Sequence, residues 1–185
     1  MDLVRSFIAI EIEEDVKNRI MEFEKRLKEC RSEIKPVEKE NLHLTIKFLG
    51  EISIKLLDEV YEKMEEIKEE KFTIGIRGVG VFPSEKFIRV IWVGVEEGKE
   101  KILKIQKKLD ESLAKVGFIK ERDFVPHITV ARVKSLGDRN EILNILNEFK
   151  EKDFGRSIVD RIVLKRSLLT PKGPIYSNIK EVLFK

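Results

Sequence analysis

The order of secondary-structure patterns repeats along this chain, and this repeat constrains the fold more than any other feature of the sequence. Residues 5–12 (RSFIAIEI) and 42–49 (LHLTIKFL) are rich in isoleucine, leucine and phenylalanine and predict strands. Between them, residues 13–30 place apolar side chains at helical spacing. A helix over 54–70 and a strand over 72–82 complete the order strand, helix, strand, helix, strand.

The second half of the chain follows the same order. Its predicted elements are a strand over 87–95, a helix over 99–117 that Gly117 ends, a strand over 127–133, a helix over 139–152, and strands over 158–170 and 177–185 joined by the turn-prone PKGPIY. Pro36 is expected to begin a loop. We therefore predict a single α+β domain over 1–185, built from a duplicated unit with pseudo-two-fold symmetry. Its lobes would span roughly 1–85 and 86–185, with exchange of terminal strands between lobes as an option.

The composition bounds the class of protein. Of the 185 residues, 42% are hydrophobic, which is enough for a core, and the net charge of +3 neither proves nucleic-acid binding nor repels a phosphate substrate. The 38% charged content, mostly lysine and glutamate with Gln106 as the only glutamine, indicates a thermophilic origin. Cys30 is the only cysteine, so neither an intramolecular disulfide nor a cysteine metal cluster can form. Residues 1–16 resemble neither a signal peptide nor a membrane anchor, so we expect a cytoplasmic protein without a membrane partner.

Two similar motifs contain the only histidines of the chain. His43 and His127 each precede a threonine by two residues, in HLTI and HITV. Because strand side chains alternate between the two faces, each histidine should share a face with its threonine. Strict alternation adds Lys47 and Ala131 to the histidine faces. It places on the opposite faces Leu44, Ile46 and Phe48 in the first motif, and Ile128 and Val130 in the second.

Several kinds of site could use a histidine in a strand. A structural, half-buried histidine explains one motif but not two matching ones. Zinc usually takes three or four protein ligands, neither motif has a carboxylate nearby, and no glycine pattern of a nucleophilic serine is present. Two histidines can instead serve as acid and base in an in-line displacement at phosphorus, while hydroxyls donate to phosphate oxygens. This chemistry requires no metal and no other cofactor.

With these motifs, the chain resembles the 2H phosphoesterases, whose paired His-x-Thr-x motifs match HLTI and HITV. The resemblance extends to the RNA 2′,3′-cyclic phosphodiesterase branch, also called 2′-5′ RNA ligase-like, through RSFIAIEI, HLTIKFLGE, GVGVFPSEKFIRVIWVGV, FVPHITVARV and LKRSLLTPKGPIYSNI. It implies a bilobal fold in which two antiparallel sheets face each other across a central cleft, with helices packed outside. It also implies hydrolysis of the 2′,3′-cyclic phosphate at an RNA end, leaving a 2′-phosphate, without metal or cofactor.

The resemblance further implies a role for each site residue. His43 would be the proton donor to the leaving 3′ oxygen and His127 the proton acceptor from water. Thr45, Thr129 and Arg132 would bind the phosphate. Arg132 stands five residues after His127, so alternation turns it to the opposite face unless a bulge or strand twist brings it back. A solvent-facing arginine is the alternative.

The side chains that would contact the terminal base are less defined. Phe48, Trp92, Phe124 and Tyr176 are near the motif segments, and single-stranded RNA is commonly recognised by stacking on such rings. We expect core positions for Phe48 and Trp92. Lys47 has the parity of His43 and is expected to extend its ammonium group to solvent.

Two other functions remain open at this point. The reverse reaction would join a 2′,3′-cyclic RNA end to a 5′-hydroxyl as a 2′-5′ linkage, with the same acid and base. An RNA- or nucleotide-binding module without turnover is the second alternative. In each case the expected partner is RNA with a cyclic phosphate end, of which tRNA halves are an example, and the protein is expected to be a monomer.

Overall fold

The computed structural model describes residues 2–185, which form nine strands, four α-helices and one short 3-10 helix at Lys39–Asn41. The strands are β1 (Leu3–Glu11), β2 (Glu33–Pro36), β3 (His43–Ser53), β4 (Phe72–Ser84), β5 (Phe87–Val95), β6 (His127–Ser135), β7 (Asp153–Val159), β8 (Arg161–Thr170) and β9 (Gly173–Leu183). The α-helices are α1 (Glu14–Leu27), α2 (Ile54–Glu65), α3 (Lys99–Ala114) and α4 (Arg139–Phe149). The predicted α+β class is confirmed.

Local sequence signals account for the helices. In α1 the side chains Val16, Ile20, Phe23 and Leu27 form one buried stripe, as their spacing predicts. The hydroxyl of Ser53 accepts a hydrogen bond from the amide of Leu56 and so caps the start of α2. Helix α3 ends three residues before Gly117, which follows in the left-handed region with a φ of 104°. No helix within residues 2–185 is long and apolar enough to span a membrane.

The strands differ from the sequence prediction in two places. Residues 33–36 form β2, which was not predicted and which pairs with β6, so the loop expected to begin at Pro36 starts at the end of this short strand. The single strand predicted over 158–170 is two strands, β7 and β8, separated at Asp160. The division is tertiary in origin, because β7 pairs with β4 whereas β8 pairs with β1 and β9.

All strand pairs are antiparallel, and they form two halves of a curled sheet. One half has the order β9-β8-β1-β3, and the other has the order β6-β5-β4-β7 with β2 also paired to β6. Helices α2 and α3 pack on β3, while α1 and α4 pack on β7 and β4, respectively. Strand β4 lies among strands of the later sequence, and β8 and β9 lie beside β1. The division of the chain into lobes near residue 85 stays a prediction.

The two halves meet at the strands that carry the histidines. Leu44 of β3 is paired with Ile128 of β6, and this is the register contact that joins β3 to β6. Both side chains are fully buried in the core. Since each stands between a histidine and a threonine in sequence, this pairing brings both His-x-Thr motifs to the centre of the molecule, on the face opposite the core.

Candidate active site

A cavity of about 680 Å³ lies on that face, and residues of both halves line it. Its lining includes all of the site residues predicted from the sequence: His43, Thr45, His127, Thr129 and Arg132. The volume is within the range of pockets that bind small ligands. The structure therefore brings together two motifs that are 84 positions apart in the chain.

His43 is held at the start of β3. Its Nδ1 lies 2.6 Å from the carbonyl oxygen of Asn41, and its Nε2 lies 2.8 Å from Oγ1 of Thr45. Because a carbonyl oxygen only accepts, Nδ1 carries the proton, and Nε2 of the neutral ring accepts from the threonine hydroxyl. The ring stacks on Phe7, with centroids 4.9 Å apart, and contacts the edge of Tyr176. Burial among these groups lowers the pKa of His43 to about 4, so the imidazole is neutral near pH 7.

His127 has a similar arrangement at the start of β6. Its Nδ1 donates to the carbonyl oxygen of Val125 at 2.7 Å, which leaves Nε2 of the neutral ring able to accept a proton. The ring of Phe82 is perpendicular to the imidazole, with centroids 4.9 Å apart, and the centroid of the Trp92 ring lies 6.0 Å from that of the imidazole. Burial lowers the pKa of His127, and the positive charge of Arg132 lowers it further.

A β-bulge in β3 changes the faces predicted for the first motif. Ile8 of β1 pairs with Lys47 and Ala9 pairs with Thr45, so Ile46 is an extra residue on β3. Ile46 and Lys47 consequently both turn to the core, and Phe48 returns to the face of the cavity. Phe48 is 70% exposed and lines the cavity, so its predicted core position is wrong.

Strand β6 has the corresponding bulge. Ile91 of β5 pairs with Ala131 and Trp92 pairs with Thr129, which makes Val130 the extra residue. Val130 and Ala131 are both fully buried, so the predicted place of Ala131 on the histidine face is wrong. The bulge returns Arg132 to the face of His127, and its side chain lines the cavity. This is the first of the two alternatives considered for Arg132 from the sequence.

The expectation that Lys47 reaches solvent is also wrong. Its ammonium group is buried, pairs with the carboxylate of Asp110 at 2.6 Å and donates to the carbonyl oxygen of Ile119 at 2.6 Å. The same carboxylate accepts from the side-chain amide of Gln106 and from the backbone amide of Glu121. This network joins the bulge of β3 to α3 and to the segment that leads into His127.

The remaining aromatic candidates differ in position. Tyr176 lines the cavity next to His43, whereas Phe124 packs against the core. Trp92 is half-buried, is not part of the hydrophobic core and does not line the cavity, so its predicted core position is wrong. Its ring packs so closely on Gly80 that a Cβ there would lie 2.2 Å from it. Phe7 and Phe82 also contact the two histidines. Neither was expected at the site, since nothing in their local sequence patterns distinguishes them from core residues. Within residues 2–185, no group of three or more histidine, cysteine or acidic side chains could hold a metal ion.

Comparison with known proteins identifies the family. The family model for LigT-like phosphoesterases matches the chain twice, over residues 10–92 and 93–176. The chain belongs to the LigT-like phosphoesterase family. Two consecutive matches agree with the duplicated unit predicted from the sequence, and the family agrees with the resemblance to 2H phosphoesterases.

Relatives of this LigT-like chain cover nearly its whole length. The chain is 40% identical to an RNA 2′,3′-cyclic phosphodiesterase of Methanocaldococcus jannaschii, over 96% of this chain and 99% of that protein. It is 36% identical to a protein of the same name from Aquifex aeolicus, over 98% and 97% of the two chains. The relatives come mostly from thermophiles, which agrees with the composition.

Solved structures of the family share the fold. The structure of TT0787 from Thermus thermophilus superposes with a TM-score of 0.82 at 28% identity, covering 97% of each chain. The structure of E. coli LigT complexed with 3′-AMP has a TM-score of 0.80 at 23% identity, covering 99% of each chain. At this lower identity the likeness concerns the fold alone.

Proposed function

We propose that this LigT-like chain hydrolyses the terminal 2′,3′-cyclic phosphodiester of RNA to a 2′-phosphate. The observation that carries the proposal is that both His-x-Thr motifs line one cavity, each with its histidine Nδ1 donating to a backbone carbonyl. That hydrogen bond leaves Nε2 of each ring for proton transfer. The names of the relatives support the same reaction.

The reaction assigns one proton transfer to each histidine. Nε2 of His127 takes a proton from water as the water oxygen attacks phosphorus. The bond from phosphorus to the 3′ oxygen breaks, and protonated His43 gives its Nε2 proton to that oxygen. The products are a 2′-phosphomonoester and a free 3′-hydroxyl, with His127 protonated and His43 neutral. Exchange of protons with solvent restores the starting state.

The acid must be protonated before the reaction, although burial lowers the pKa of both imidazoles. An anionic phosphate next to His43 opposes this effect, because a neighbouring negative charge favours the imidazolium. Protonation also ends the acceptor role of Nε2 toward Thr45, whose hydroxyl then becomes free to donate to a phosphate oxygen. Substrate binding and charging of the acid are therefore coupled.

Three further side chains stabilise the negative phosphate. Thr45 and Thr129 donate hydroxyl hydrogen bonds to its non-bridging oxygens. Arg132 supplies a planar guanidinium that can contact two oxygens at once, and in the cavity it lies on the same face as His127. Fixed donors of this kind are worth most where charge builds up in the transition state.

Phe48 is the proposed platform for the terminal base. Its ring is 70% exposed in the cavity, and it lies 6.2 Å from the ring of Phe7, which in turn stacks on His43. An exposed aromatic ring beside a phosphate site is well suited to stacking on a nucleobase of any identity. RNA fragments with cyclic phosphate ends, tRNA halves among them, are the substrates we propose.

The deciding experiment uses an oligonucleotide with a 2′,3′-cyclic phosphate end in the presence of EDTA, with products resolved as 2′- or 3′-phosphates. We expect a 2′-phosphate and complete retention of activity with EDTA. His43→Ala and His127→Ala should each abolish turnover while the protein stays folded. A single variant with a near-normal rate would overturn the proposal. Adding an RNA with a 5′-hydroxyl end tests for the reverse, 2′-5′ joining reaction in the same assay.

A further inference from the structure

The cavity contains more positive charge than the two histidine motifs account for. Its lining includes the cations Arg5, Lys35, Arg132 and Lys172 and a single carboxylate, Glu38. Within the described part of the chain, none of these four cations has a carboxylate within 4.0 Å, whereas arginines such as those at 26, 156 and 161 are held in ion pairs. The positive charges of the lining are therefore available to an anionic ligand.

Lys35 is placed beside Arg132 by the pairing of β2 with β6. The two residues are direct partners in the register of the antiparallel strands, so their side chains leave the same face. Like charges at opposed positions repel each other and disfavour the pairing. A bound anion on this face would relieve the repulsion, as would be expected of a binding surface.

The ammonium group of Lys35 reaches the turn between β8 and β9. A Cβ at Gly173 would lie 3.9 Å from its Nζ, and Lys172 precedes this glycine. The turn is held in place because the side-chain amide of Asn41 donates to the carbonyl oxygen of Pro174 at 3.1 Å. Lys35 and Lys172 thus belong to opposite halves of the sheet and come together beside a fixed turn at the edge of the cavity.

The carbonyl of Asn41 also accepts from Nδ1 of His43. One residue therefore links the proposed acid of the reaction to the turn that presents Lys172. These hydrogen bonds set the position of the turn relative to the histidine, and a substrate that contacts both Lys172 and His43 would be oriented along this direction.

We propose that Lys35 and Lys172 bind the phosphodiester immediately upstream of the terminal nucleotide, so that the enzyme prefers RNA of two or more nucleotides to a cyclic mononucleotide. This inference rests on the proposed function. The terminal cyclic phosphate contacts the two histidines and Arg132, and the terminal base stacks on Phe48. The next anionic group of an RNA strand is the phosphate on the 5′ oxygen of the same nucleotide, which a cyclic mononucleotide lacks. Glu38 is the lining group that would oppose this anion.

Three substrates test the proposal: adenosine 2′,3′-cyclic phosphate, the dinucleotide ApA with a 2′,3′-cyclic end, and the same dinucleotide with a neutral methylphosphonate linkage. We expect kcat/KM to be roughly tenfold higher for the charged dinucleotide than for the other two, the scale of one charged hydrogen bond. The double variant K35A/K172A should lose this advantage, so that its kcat/KM for the charged dinucleotide falls to the level of the other two substrates.

Lys107→Ala provides the matched control, because Lys107 is an exposed lysine on α3 that does not line the cavity. The slope of log kcat/KM against log salt should be steeper for the charged dinucleotide by about 0.7, the value for one neutralised phosphate of a single strand. An advantage that persists in K35A/K172A, or an equal loss on the mononucleotide, would overturn the proposal.

A binding measurement separates this proposal from the proposed function. Equilibrium binding of the two dinucleotides carrying a 2′-phosphate end requires no turnover. The phosphodiester form should bind roughly tenfold more tightly than the methylphosphonate form, and only in the protein with both lysines. If no cyclic phosphate is hydrolysed but this difference in affinity remains, the proposed reaction is wrong and the proposed site for the upstream phosphodiester is supported. If hydrolysis occurs without the difference, the reaction stands and the site is wrong.

Discussion

Phe48 and Arg132 occupy equivalent positions in the two halves of the site. Each lies five residues after a histidine, and each is turned into the cavity by a bulge one residue after the motif threonine. The two motifs are related by pseudo-two-fold symmetry, but the side chain five residues after the histidine differs between them. One is suited to a base and the other to a phosphate, so we expect the proposed substrate to bind in one orientation in a nearly symmetric cavity.

Arg132→Lys should lower kcat roughly 100-fold, because an ammonium group cannot make two parallel hydrogen bonds to the phosphate in the transition state. Steady-state kinetics on an RNA with a cyclic end would measure this. Arg19→Lys, on the exposed face of α1, is the control and should leave kcat unchanged. Equal activity of Arg132→Lys and the parent protein would exclude a two-oxygen contact.

Phe48→Ala should lower kcat/KM by about 5- to 100-fold, the scale of one stacked base. Phe87→Ala is a matched control, since Phe87 is also exposed but does not line the cavity. Steady-state kinetics on an RNA with a cyclic end would measure both variants. An unaffected Phe48→Ala enzyme would show that the base is bound elsewhere.

The pH dependence of kcat/KM follows from the two lowered histidine pKa values, because this parameter reports on the free enzyme. In the proposed reaction the active form has one imidazole protonated and one neutral. With the pKa of His43 at about 4 and that of His127 also below its ordinary value of 6.5, this form becomes scarcer as the pH rises. We expect kcat/KM to be highest below pH 6.5 and to fall about tenfold per unit at higher pH. A rise between pH 6.5 and 8.5 would contradict the titration of these groups.

Lys47→Met should destabilise the protein by about 3–5 kcal/mol, because the carboxylate of Asp110 would remain buried without its cation. Adding Asp110→Asn should restore much of this loss, since an amide oxygen can still accept from Glu121 without a charge. The free energy of unfolding from denaturant titrations measures both effects. Lys107→Met, on the same helix as Asp110, should change it by less than about 0.5 kcal/mol. A double variant no more stable than the single one would show that the charge of Asp110 is not the cause.

The buried carboxyl group of Glu24 makes the free energy of unfolding depend on pH. Its side chain on α1 is 1% exposed, and burial raises its pKa to about 8. The folded state therefore keeps a proton that the unfolded chain releases above about pH 4.5. Its contribution to stability is complete below pH 4.5, declines as the pH rises and is lost above about 8. Glu24→Gln should remove this decline in unfolding titrations between pH 5 and 9, and a parallel decline in both proteins would contradict it.

The amino-acid sequence was sufficient to predict the features that depend on near neighbours. The apolar spacing of Val16, Ile20 and Phe23 predicted the buried face of α1, and the strand pattern placed β5 at residues 87–95, where the structure has it. The paired His-x-Thr motifs predicted the centre of the site and the family. Each of these signals is contained within a few consecutive residues, where side-chain period alone decides the face.

The tertiary structure decided which way the residues after each motif point. The bulges at Ile46 and Val130 arise only when β3 pairs with β1 and β6 pairs with β5, so no count along one strand could find them. They reverse the alternation, and thereby expose Phe48, bury Lys47 and return Arg132 to the cavity. The pairing of Leu44 with Ile128 likewise depends on strands far apart in the chain. The sequence by itself determined which groups could react, and the register between remote strands decided that they meet in one cavity.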